Sequence, residues 1–194
     1  MPSLPIATCD APVSGIPAGP QLQTSATEAE RQLWARIVRH DFEPEHRLNF
    51  TARLARDRSW TLEEARAAVN AYRCFCFLTM VSPSEMTPSE AVDEVWHQHL
   101  IYSRDYWDVW CGQVLRAKLH HDPTPGGPEA QARYRDQYAR TLALHETYFG
   151  QPCAALWPAT HRRFGARPQY KTVDTWKTLT LPNPKAILRS LIRR

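Results

Sequence analysis

Four of the eight histidines fall between Thr87 and Asp122, as His97 and His99 in Trp96-His97-Gln98-His99-Leu100 and as His120 and His121 in His120-His121-Asp122-Pro123. Near neutral pH an imidazole can move a proton or ligate a metal ion, so chemistry is expected here. The obvious pairing of His97 with His99 fails on a regular helix. At about 100° per residue, His99 lies near the centre of a broad face with Val92, Val95, Trp96, Tyr102, Ser103, Tyr106, Trp107 and Trp110. His97 points the other way, in line with Asp93, Arg104 and Asp108. Metal pairs on helices use i, i+3 or i+4 spacing, and these two residues diverge.

Two constellations remain. In one, His99 faces inward and is joined by His120 or His121, and by His145 from a later helix. In the other, Asp93 and His97 form an i, i+4 pair that takes up His121 or Asp122. Two or three imidazoles with a carboxylate suit zinc or iron. The metal candidates are therefore Asp93, His97, His99, His120 and His121, not all at one ion. The plainer reading makes His99 a hydrogen-bonded core residue and His97 a surface partner of Asp93. It leaves His120 and His121 as caps beside a turn organised by Asp122 before Pro123.

The elements that must position these groups are helical. Thr27-Glu28-Ala29-Glu30 has the spacing of a capping box before Leu33, Trp34, Ile37 and Val38. A short helix is expected from His46 to Arg56, with Leu48 and Leu54 inward. Thr61 opens another helix that runs to about Met80 and stops before Pro83. Thr87, Pro88 and Glu90 predict a third long helix reaching Cys111, with Gly112 as its left-handed stop. Pro128 starts a fourth, which ends at Gly150. Tyr170 to Leu181 reads as extended and strand-like. Cys74 and Cys76 diverge on their helix and read as core beside Phe75 and Phe77. There is no internal repeat.

The sequence thus predicts an all-α fold: a single multi-helix domain with a disordered Pro-rich N-terminus and an extended basic C-terminal segment. The expected divisions are 1–24, 25–160 and 161–194. The chain of 194 residues can bury a full core. It has no apolar run long enough to span a bilayer and no basic-then-apolar leader, and its five scattered cysteines read as reduced thiols. A cytoplasmic protein is the expectation. Gly-rich phosphate loops, the Gly-x-Ser-x-Gly elbow and Cys-x-x-Cys are absent, which removes the usual anchors of nucleotide, serine-hydrolase and dithiol chemistry.

Charge is uneven. From His161 onward nine Lys/Arg face one Asp, a surplus of +8, which leaves −4 for residues 1–160. Within that basic end Ile187, Leu188, Leu191 and Ile192 form an apolar stripe beside Arg189 and Arg193. Such a stripe would dock on an acidic protein partner or rest weakly at a membrane surface. Only Tyr170 and Trp176 are interleaved with the basic residues, which argues against nucleic acid.

The run Asp93-Glu94-Val95-Trp96-His97-Gln98-His99-Leu100, then Tyr102, Asp105-Tyr106, Gly112 and His120-His121-Asp122-Pro123, resembles the domain of unknown function in plant and bacterial glycine-rich domain-containing proteins. That domain carries an Asp-x-x-Trp-His-x-His signature with a later His-Asp element. The resemblance extends over Thr87 to Gly127. The chain has only seven glycines, so the tract that names that family is missing. The resemblance implies a relative without an established reaction. The functional expectation is a histidine-centred, metal-binding site of zinc or iron type, and the alternative is a non-enzymatic interaction module docking through the basic C-terminal segment.

Overall fold

A computed structural model of the chain describes residues 20–42 and 49–165. Among these residues every regular element is helical, as the hydrophobic patterning predicts. They are α1 (Glu28–Arg39), α2 (Phe50–Arg58), α3 (Leu62–Val81), α4 (Glu90–Ile101), a π-helix (Asp105–Leu115), α5 (Pro128–Phe149) and α6 (Thr160–Arg163). The disordered N-terminal segment, the strand-like stretch and the stripe Ile187, Leu188, Leu191 and Ile192 with Arg189 and Arg193 lie essentially or wholly outside the described residues, as do His46 and Leu48.

Local chemistry sets the helix starts. Thr27 and Thr61 each accept a hydrogen bond from the N3 amide, while Glu30 and Glu64 reach back to the capping amide. Asn49 caps α2 in the same manner through Ala52. The sequence places the cap of α4 at Thr87, but Ser89 holds it, accepting from the Val92 amide. Thr87 is buried instead. Its hydroxyl donates to Gln137 Oε1 at 2.7 Å, and its amide donates to Thr141 Oγ1 at 3.2 Å, which ties the start of α4 to α5.

Helix α3 is the hub, packed against α1, α2, α4 and α5. Its Tyr72, Cys74, Phe75, Cys76, Phe77 and Leu78 are fully enclosed. A side chain such as Phe75 contributes about 1.5–3 kcal/mol when withdrawn from water, so the sequestered aromatics dominate the core. Cys74, Cys76 and Cys111 are buried free thiols, and burial raises the pKa of each. Cys153 is disulfide-bonded, which corrects the expectation of five reduced cysteines. Among the described residues no helix is long and apolar enough to cross a membrane.

The third long helix does not run to Cys111. It breaks at Tyr102, whose backbone leaves the helical region with φ −82° and ψ 54°. The chain then rewinds as a π-helix that ends on Arg116 at φ 58°, not on Gly112, which lies inside it. An α-helix interrupted this way changes the direction of every later side chain. π-Segments recur at functional sites.

Candidate metal centre

Helix α4 sends its two histidines to opposite sides. Asp93 and His97, one turn apart, face outward. His121 reaches them from the loop after the π-helix. Its Nε2–H donates to Asp93 Oδ1 at 2.9 Å, and His97 Nδ1 stands 3.8 Å from Asp93 Oδ2. The His97 and His121 rings lie 4.6 Å apart at 32°. One potential ligand atom from each of the three residues lies within 4.8 Å of the others. The Asp93 hydrogen bond raises the His121 pKa, outweighing the opposing effect of burial.

The backbone that carries His121 is held from within. Trp96 Nε1–H donates to the Tyr106 hydroxyl at 2.8 Å, and that hydroxyl donates to the Leu119 carbonyl. The Trp96 ring packs against His121 at 4.3 Å. The buried Trp96 therefore supports the loop from below, while its neighbour His97 stays half exposed. A groove of about 960 Å³ opens beside this group, and Asp93, His121, Asp122, Gln131 and Tyr134 are among its lining.

His99 is completely enclosed and meets a different set. Its Nε2 is 2.8 Å from Asp105 Oδ2, and its Nδ1 is 3.0 Å from the Tyr72 hydroxyl. His40, just beyond the end of α1, places Nε2 3.1 Å from the same Asp105 oxygen. Phe42, Phe50, Tyr106 and Trp110 close around the His99 ring. Burial lowers the His99 pKa, and this outweighs the upward pull of Asp105. Burial opposes ionisation of Asp105 too, but hydrogen bonds from His40 and His99 prevail and hold its carboxyl well below the ordinary range. This trio offers three ligand atoms within the same 4.8 Å limit.

The five candidates are thus divided. Asp93, His97 and His121 come together, while His99 joins none of the partners expected for it. His120 is exposed, with its ring 5.6 Å from Trp107. His145 is bound through Nδ1 to the Gly150 carbonyl at 3.1 Å and packs against Trp157. His40 and Asp105 are the residues that sequence reasoning missed. On an unbroken helix Asp105 would lie about 240° around from His99. Only the break at Tyr102 and the wider winding after it turn the carboxylate back toward the imidazole.

The UCP032817-like family model matches residues 35–137, a span that contains all six ligand residues of the two groups. No curated protein and no solved structure matches the chain. The match corrects the resemblance to glycine-rich domain-containing proteins drawn from the Trp-His-x-His segment, a signature too short to fix a family by itself. Covering more than half of the chain, it shows that the protein belongs to the UCP032817-like family, which is uncharacterised.

Proposed function

We propose that the protein binds a divalent metal ion, zinc in the first instance, through Asp93, His97 and His121 at the edge of the groove. The observation that carries this reading is the convergence of a helical i, i+4 pair and a loop histidine beside an open cavity. Three protein ligands leave a fourth position for water or substrate, the arrangement of catalytic rather than structural zinc sites. A water held there would be activated for hydrolysis, and the groove has room for an organic substrate against it. Iron is the other ion that two imidazoles and a carboxylate suit.

Zinc titration of the chelator-stripped protein tests the reading. Binding in the parent should weaken by at least about tenfold in His97→Ala and in His121→Ala, each remaining folded. Unchanged affinity in both variants would reduce the group to a hydrogen-bonded surface pair.

A second reading, docking through the basic segment 161–194, is favoured by its +8 surplus. It entails salt-sensitive association with an acidic partner that is lost on deleting Pro184 to Arg194. Association indifferent to salt, or to the deletion, counts against it.

A further inference from the structure

We propose that His40, His99 and Asp105 form a second metal site, separate from the groove, for a divalent first-row transition ion such as iron(II) or cobalt(II). The inference goes beyond the groove-side reading and stands independently of it, since the two sites share no ligand. Three features of the buried trio point to a coordination sphere.

The first is convergence. Two Nε2 atoms and one carboxylate oxygen, drawn from α1's end, α4 and the π-helix, meet at one place, with Asp105 Oδ2 2.8 and 3.1 Å from the two nitrogens. Ligands held at right angles about 2.1 Å from one ion lie about 3.0 Å apart, so these two edges already have the length of a facial set. An ion entering would take the place between the Nε2 atoms and the carboxylate with little movement of the side chains, each imidazole then carrying its proton on Nδ1, which at His99 donates to the Tyr72 hydroxyl.

The second is outer-shell support. The far nitrogen of His99 is engaged by the Tyr72 hydroxyl at 3.0 Å, which fixes the ring with Nε2 toward Asp105. Ligating histidines characteristically have such a partner on the nitrogen that does not touch the metal. Tyr72 is a positioning residue in this arrangement. The third is enclosure with an opening. His99 is fully buried and the His40 side chain is 6% exposed, but Asp105 remains 22% exposed. Asp105 therefore brings one edge of the site to the solvent. Two imidazoles and one carboxylate converging on one point are the donor set of non-haem iron(II) centres.

Equilibrium dialysis of the full chain against cobalt(II), read by elemental analysis and by the visible absorption of the bound ion, tests this directly. The expected result is two ions in the parent, one in Asp105→Asn, one in His97→Ala and none in the double variant. Tyr72→Phe should weaken the buried ion by about 10–100-fold and leave the groove-side ion unaltered. One ion in the parent that Asp105→Asn loses and His97→Ala keeps would support the buried site while overturning the groove-side reading. One ion that Asp105→Asn keeps and His97→Ala loses would overturn this inference alone, and no bound ion would overturn both. Should circular dichroism show Asp105→Asn unfolded, His40→Gln takes its place under the same criteria.

Discussion

An α-helix turns about 200° between residues two apart, and this gives His97 and His99 separate roles within one motif. His99 sits amid aromatic rings with both ring nitrogens engaged, and Asp105 supplies the charge that holds it. Hydrogen bonds to a charged group contribute about 1.5–3 kcal/mol each, so Asp105→Asn should destabilise the metal-free protein by about 2–4 kcal/mol in urea denaturation. A loss below about 0.5 kcal/mol would show the network to be slack. The pH dependence has a definite sign. Because the folded Asp105 pKa lies below its unfolded value of about 4, its stabilisation is complete above that value and fades as pH falls through the folded one. The stability gap between parent and Asp105→Asn should therefore shrink from pH 7 to pH 3. His121 has the opposite sign. Its folded pKa is raised, so the Asp93 pair contributes fully below about pH 6.5 and less as pH rises through the folded value. For the metal-free protein, the gap between parent and His121→Ala should be larger at pH 5.5 than at pH 9, by up to about 1 kcal/mol. A gap that widens with pH would contradict the Asp93–His121 geometry.

Helix termini and the π-segment determine how these residues reach one another. Replacing Ser89 with Ala should cost about 1 kcal/mol as a lost cap. Tyr106→Phe removes the acceptor of Trp96 and the donor to Leu119 together, and should cost about 1–3 kcal/mol. Hydrogen exchange should then speed up in residues 117–122, which that hydroxyl anchors, while α3 stays protected. Uniform exchange across the chain would mean the loop is held by other contacts. Much of this architecture is legible in the sequence. The capping boxes at Thr27 and Thr61 and the Pro128 start are explicit local signals, and the opposition of His97 to His99 follows from helical period alone. The misplaced cap at Thr87 has a plain cause: two hydroxyl residues stand two apart, and only tertiary packing against Gln137 and Thr141 decides between them. The π-helix has no comparable signal. Helical period alone therefore directs His99 toward the loop after the helix and leaves Asp105 away from it, whereas the π-segment brings the two together.

At the scale of the whole molecule, a central α3 surrounded by α1, α2, α4 and α5 makes a rigid support for two histidine–carboxylate groups on opposite sides of α4. The family match spans both groups, from α1 through the start of α5. An ion that binds the folded chain and not the unfolded one stabilises it, by about 2.7 kcal/mol at a free concentration one hundred times Kd. Zinc should accordingly raise the melting temperature of the parent by more than that of a folded His97→Ala, His121→Ala double variant, which keeps only the His40, His99 and Asp105 group. The most direct measurement is anomalous diffraction at the zinc edge from crystals of the full chain loaded with excess zinc. The expected result is a strong peak about 2.0–2.2 Å from Asp93, His97 and His121, facing the groove, whether or not a second peak marks His40, His99 and Asp105. No peak at Asp93, His97 and His121 would contradict the groove-side metal site.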